Sequence, residues 1–329
     1  MNVLITGGGG FLGSHLGDLL LAEGHEVYAL DTARNLKVRH NLSNARFHYV
    51  KASIFDRDIL ERLTQKCELI FHLAAMVGVE HYVEDPLAVL RANVEGTVEV
   101  LRTALKYDRR IVFSSTSEIY GRNPKVPWTE EDDRVLGSTR MDRWCYSTSK
   151  AIGEHYCYAY MNVGLRPVIV RYFNVYGPRL DAIDVGRVIT IFMGQMLRGE
   201  PLTVIGDGLQ TRCFTFVLDA VRATARAGFE PEAEGEAINI GSEKEYTILQ
   251  LAEALCHVAG RDPEKHIRFV RQQDIYGPRY EDIRRRVPDT AKMRRLLGCS
   301  ADTSLEVGLR LTYEYFEKEK SAKKTYYAV

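Results

Sequence analysis

The sequence predicts an α/β protein, with a doubly wound parallel sheet followed by a smaller α/β C-terminal unit. Three observations predict it. The chain opens on an apolar strand, a glycine-rich turn and a helix that leads into a second strand. Strand-like and helix-like stretches then alternate as far as residue 175, the pattern of a parallel sheet wrapped by helices. Beyond residue 175 the order changes to a helix, a short strand and a glycine turn, which marks a second unit.

NVLIT (2–6) is apolar and rich in β-branched residues, and GGGGFLGSHLGDLLLAEGH (7–25) follows it with helical spacing at Leu12, Leu16, Leu19 and Leu20. EVYALD (26–31) reads as a second buried strand, completing a βαβ unit. Gly7, Gly10 and Gly13 suit a tight turn, a close approach of backbone to phosphate, and packing of helix on strand. The helix N-terminus offers unpaired N–H groups to a pyrophosphate. Asp31 closes the second strand 18 residues after Gly13, where a carboxylate accepts both ribose hydroxyls of NAD and repels the extra phosphate of NADP. The opening unit is therefore a Rossmann dinucleotide site, and NAD is the expected cofactor.

RFHYV (46–50), ELIFHLAA (68–75), RRIVFSS (109–115) and PVIVRYFNV (167–175) are the further strands, with a helical stretch over 85–107. Ligands of such sheets bind beyond the carboxyl ends of the strands. HLAA (72–75), SSTSE (114–118) and YFNVYG (172–177) should therefore line one crevice. The expected division is 1–175, with a return segment at about 214–240, for the dinucleotide, and 176–213 with 241–329 for the substrate.

Composition narrows the classes. Lys plus Arg and Asp plus Glu both number 44, so no overall field recruits nucleic acid or an anionic membrane. No apolar run approaches the roughly 20 residues of a membrane span. Cysteines 67, 145, 157, 213, 256 and 299 form no C-x-x-C pair, and MNVLIT carries no signal-peptide pattern. The expectation is a reduced, cytoplasmic protein without disulfides or a metal.

RWCYSTSKAIGEHYCYAYM (143–161) reads as a helix that places Tyr146 and Lys150 on one face. An ammonium nearby would lower the phenol and make Tyr146 a base for a substrate hydroxyl while hydride leaves the same carbon. A nonenzymatic NAD-sensing module would have no need of Thr116, Tyr146 and Lys150 together. An ordinary NAD alcohol dehydrogenase would release NADH with its product.

TGGGGFLG, HLAA, STSEIYG, YSTSK and RYFNVYGPR together resemble the extended short-chain dehydrogenase/reductase family, in its branch of nucleotide-sugar epimerases, dehydratases and decarboxylases. The resemblance implies Tyr146 as acid/base, Lys150 on the nicotinamide ribose, and Thr116 on the oxygen at C4 of the sugar. It places backbone of Phe11 and Leu12 at the pyrophosphate, and Leu73, Ala74, Ala75, Asn93, Ser114 and Tyr172 along the cofactor. Ser53, followed by Ile54, stands where the family usually has an aspartate facing adenine. On the sugar side it implies Asn174, Arg187, Val188, Arg212 and Arg286, the guanidiniums gripping phosphate or carboxylate in a bidentate way. Of the triplet 284–286, two arginines are expected to be solvated and Arg286 functional.

Oxidation at C4 is the implied common first step. Simple epimerases of the branch often carry small residues where this chain has Ser117 and Glu118. Thr-Ser-Glu resembles instead the UDP-glucuronate decarboxylases, and also the GDP-mannose dehydratases, which favour NADP. The expectation is decarboxylation of UDP-glucuronate to UDP-xylose or its 4-keto pentose, with Glu118 orienting the sugar or relaying a proton. The alternative is 4-epimerisation of UDP-glucuronate or UDP-glucose, and after it a 4,6-dehydratase. The resemblance also implies a homodimer through the helices at 87–107 and around Tyr146.

Overall fold

The computed structural model describes residues 1–329 apart from 34–36, 79–80, 82–83, 181–182, 185, 272–282 and 327–329. Seven strands form one sheet: β1 (Asn2–Thr6), β2 (Glu26–Asp31), β3 (Phe47–Lys51), β4 (Leu69–His72), β5 (Arg110–Thr116), β6 (Arg166–Tyr172) and β7 (Ala237–Ile240). Their order is β7-β6-β5-β4-β1-β2-β3, and every pairing is parallel. The order reverses between β1 and β4, so a crevice opens beyond their carboxyl ends.

Both faces of the sheet are covered, which is why its strands read as continuous apolar runs. On β1, Val3 and Ile5 pack into one core cluster, while Leu4 packs into the other with Ile70, Ile111 and Phe113. Helices α1 (Phe11–Ala22) and α7 (Val217–Phe229) pack together on one face. On the other lie α2 (Arg57–Lys66), α4 (Gly96–Lys106) and α5 (Arg143–Met161). The stretch expected as one helix over 85–107 is helical from Pro86 to Lys106, as α3 (Pro86–Leu90), a π turn at Arg91–Glu95 and α4 in unbroken succession.

The remaining elements form small ladders and helices. Leu202–Ile205 pairs with Ile267–Val270, and Thr211–Cys213 with Glu245–Thr247. Helix α6 (Val188–Arg198) packs on Leu202–Ile205 and ends at Gly199, whose φ of 75° supplies the left-handed residue a helix stop favours. Helix α8 (Ile248–Val258) begins with a reciprocal Thr247 and Gln250 cap. After α9 (Pro263–His266), α10 (Ala291–Leu297) packs against β7 and α7, and α11 (Leu305–Tyr326) against α8. Among the described residues no helix is long and apolar enough to cross a membrane.

Candidate active site

A cleft of ≈ 1770 Å³ runs along the carboxyl edge of the sheet. Its dinucleotide end is built from glycines. Gly7, at φ 74°, turns the chain beneath β4, where a Cβ would meet the Ala74 nitrogen at 2.7 Å. A Cβ on Gly13 would stand 2.2 Å from the Gly7 carbonyl, so only glycine allows α1 to start this close to β1. Helix α1 is capped by Gly10 with no side-chain hydrogen bond, and Phe11, Leu12 and Gly13 of its first turn line the cleft. First-turn N–H groups have no acceptor within the helix, which makes this end an anion site. Asp31 is held at the rim, with Oδ2 accepting from Gly9 N–H and Oδ1 from Ala33 N–H, both at 2.9 Å. The cradle and the carboxylate both fit NAD.

Ser53, Ile54, Leu73, Ala74, Ala75, Ser114 and Tyr172 line the same cleft. Asn93 does not. It is fully buried in the π turn, with its carboxamide accepting from Met76 N–H (2.8 Å) and donating to Met76 O (3.1 Å) and Ser149 Oγ (3.2 Å). Its side chain braces the loop after β4 against α5, and the residue beside it, Ala92, lines the cleft instead.

At the centre, Thr116, Tyr146 and Lys150 converge. The Tyr146 hydroxyl hydrogen-bonds Thr116. Burial pushes the phenol up to about 12, with the Glu118 charge adding to the rise and Arg187 and Thr116 opposing it. The depression expected from Lys150 is not present, because the ammonium is turned to the Ser114 carbonyl at 2.8 Å and sits over the Phe113 ring. Burial lowers Lys150 itself to about 8.

The far end is charged. Glu118 Oε1 accepts from Arg286 Nη1 at 2.7 Å and Arg143 Nη2 at 3.2 Å, and Oε2 from Arg143 Nε at 3.3 Å. Burial alone would raise this carboxyl, but the two guanidiniums outweigh it and hold it at about 2. Arg286 is 6% exposed, and its Nε has no hydrogen-bond partner among the described residues. Ser117, Asn174, Arg187, Val188 and Arg212 line this end too. Asn174, at φ 39°, donates to Cys213 O, while Arg187 donates to Val175 O and Arg212 to Thr211 O. In the triplet, Arg284 and Arg285 are exposed and Arg286 is buried; Arg285 forks onto Glu245, and all three border the cleft. Sequence reasoning passed over Arg143, although it lies three residues before Tyr146 and hence on the same helical face.

The model of the NAD dependent epimerase/dehydratase family matches residues 3–241. The chain belongs to that family. NAD is the cofactor of the family, and the glycine cradle with Asp31 is where this member would hold it. Among curated relatives, a UDP-N-acetyl-alpha-D-glucosaminuronate decarboxylase of Bacillus cytotoxicus is 38% identical over 318 residues, 96% of this chain and 97% of that protein. UDP-glucuronic acid decarboxylase 1 of Danio rerio is 36% identical over 322 residues, 96% of this chain and 73% of that protein. Among solved structures, the UDP-glucose 4-epimerase of Thermotoga maritima with UDP-glucose superposes with a TM-score of 0.86 at 35% identity, covering 97% of this chain and 100% of that one. NAD-dependent chemistry on a nucleotide sugar is the activity that goes with this membership.

Proposed function

We propose that this family member decarboxylates a UDP-linked hexuronic acid, UDP-glucuronate or its 2-acetamido counterpart. The observation that carries the reading is the pair of guanidiniums, Arg286 and Arg143, on the single carboxylate of Glu118, beside Thr116 and Tyr146. Both guanidiniums border the cleft beside the reacting groups, Arg286 Nε has no partner among the described residues, and a hexuronate brings a carboxylate that a guanidinium grips in a bidentate way. Two decarboxylase relatives of matching length or coverage support the same choice.

Thr116 would hold the C4 oxygen and Tyr146 would take its proton as C4 is oxidised. Bound NAD supplies the hydride acceptor for that oxidation and the donor that reverses it. The resulting acid has its carboxylate β to a ketone. The C5–C6 bond then breaks with its electron pair entering the C4 carbonyl, CO2 leaves, and a proton is added at C5. Arg286 and Arg143 would orient the carboxylate, with Glu118 keeping both guanidiniums in place until the sugar arrives. Lys150 would meet the nicotinamide ribose and Tyr146, with Ser114 as its anchor. Gly7 to Gly13, Asp31, Ser53, Ile54, Leu73 to Ala75 and Tyr172 would bound the dinucleotide, and Asn174, Arg187, Val188 and Arg212 the UDP-sugar.

The division of labour proposed is 1–175 with 214–240 for NAD, and 176–213 with 241–329 for the nucleotide sugar. We also propose a homodimer through α3, α4 and α5, whose solvent face leaves Leu87, Leu90, Tyr156 and Tyr158 exposed. Light scattering tests it, and a monomer at micromolar concentration would contradict it. The rival reaction is 4-epimerisation, favoured by the likeness to the Thermotoga maritima enzyme. Incubation with NAD and either UDP-hexuronate, followed by mass and proton NMR of the product, separates the two. A UDP-pentose means decarboxylation, and an unchanged mass with inverted C4 coupling means epimerisation.

A further inference from the structure

Behind the cleft lies a buried polar chain that joins its two ends. Arg171 on β6 and Glu154 on α5 are 7% and 5% exposed and pair through two bonds, Nε to Oε1 at 3.0 Å and Nη2 to Oε2 at 2.7 Å. Glu154 lies one turn beyond Lys150 and also accepts from the hydroxyl of Ser115, the residue before Thr116. Arg171 Nη1 donates to the Tyr120 hydroxyl at 2.9 Å and to the Glu130 carbonyl at 2.8 Å. The Tyr120 hydroxyl donates onward to Asn239 Oδ1 at 2.7 Å, and Asn239 Nδ2 donates to the Trp128 carbonyl at 2.9 Å. Trp128 then exchanges backbone bonds with Val287 and Asp289, both at 2.8 Å, directly after Arg286.

Arg171, Glu154, Tyr120 and Asn239 do not line the cleft, so whatever they contribute passes through other residues. A buried ion pair is no better for stability than apolar side chains of the same volume. What this one does offer is fixed geometry. It ties the helix of Tyr146 and Lys150 to the turn of Glu118, two residues before Tyr120, and to the segment of Arg286.

We infer that Arg171, Glu154, Tyr120 and Asn239 form a positioning truss that aligns the Glu118 and Arg286 end of the cleft with the Tyr146 and Lys150 end, and so sets the rate of the step after C4 oxidation. The inference rests on the proposed decarboxylation. The Tyr120 hydroxyl is the junction, since it accepts from Arg171 and donates to Asn239.

Arg171→Met would strand the buried Glu154 carboxylate and endanger folding. Tyr120→Phe keeps the ring stacked on Trp128, at 5.0 Å between centroids, and cuts the junction alone. With UDP-glucuronate and NAD, the folded variant should lose kcat roughly tenfold while KM stays within about twofold, because misalignment of reacting groups affects the chemical step. The share of enzyme holding NADH during turnover, read by absorbance, should rise severalfold, because oxidation continues while the next step slows. Asn239→Ser cuts the same link from the other side and should raise the same share. A wild-type NADH share in either folded variant overturns the truss, as does a loss of kcat without NADH build-up, which would mean general loosening. CO2 is collected from the wild type in parallel. Wild type that turns the sugar over without CO2 overturns the decarboxylase reading alone, and the NADH share over that turnover still judges the truss.

Discussion

Glu118 Oε1 and Arg286 Nη1 lie 2.7 Å apart at the end of the cleft, across 168 positions of sequence. The pair joins the strand-end that carries Thr116 to the C-terminal segment, and its charge reaches the neighbouring phenol. Burial, then Glu118, raises Tyr146 to about 12, while Arg187 and Thr116 pull the other way. Glu118→Gln removes the second of the raising influences and leaves the lowering ones. The Tyr146 phenol should therefore titrate at lower pH in the variant, seen as the ultraviolet difference that Tyr146→Phe abolishes. An unchanged or higher midpoint would contradict this coupling. The variant should also lose roughly 3 kcal/mol of stability, because the buried Arg286 and the half-buried Arg143 both lose the carboxylate they share.

Lys150 is 2% exposed and lowered by burial from 10.5 to about 8, so the folded state disfavours its charge. Below pH 8 the amine is protonated folded and unfolded, and the burial cost, about 3 kcal/mol for such a shift, is present in full. From pH 8 to 10.5 the folded amine loses its proton and the cost fades. Lys150→Met should abolish turnover yet stabilise the fold at pH 7 by about 2 kcal/mol, after about 1 kcal/mol for the Ser114 carbonyl losing its donor. Urea midpoints at pH 7 and pH 10 check this. The gain should shrink at the higher pH, and a gain that grew would contradict the sign.

Asp31 sits over Gly9 and Ala33, with both oxygens fixed by backbone N–H groups. Its charge is thus held at the cleft by backbone, and among the described residues no side chain hydrogen-bonds it. Asp31→Ala should weaken NAD binding by about ten- to a hundredfold, the worth of hydrogen bonds to a charged group, and should narrow the preference over NADP. Calorimetry with both cofactors measures it, and an unchanged ratio would remove Asp31 from cofactor choice.

Much of the frame was legible because its signals are local. β1, β2 and α5 fall on the bounds that β-branched runs and helical spacing predict. The π turn inside the 85–107 helix was not legible, nor was the role of Asn93 within it, which reaches Met76 and Ser149 through contacts that exist only in the folded chain. Spacing placed Tyr146 and Lys150 on one face but could not say that the ammonium would meet the Ser114 carbonyl from β5. Arg143 escaped notice for the same reason: its meaning comes from Glu118, brought to it by the strand-end turn.

The most direct measurement uses UDP-glucuronate labelled with carbon-13 at C6, incubated with the protein and NAD, with the UDP-N-acetyl analogue run beside it. The decarboxylase reading predicts that the label leaves as CO2, with one molecule of UDP-pentose or its 4-keto form for each CO2. Label retained in a UDP-hexuronate inverted at C4 would contradict it and make the protein a 4-epimerase.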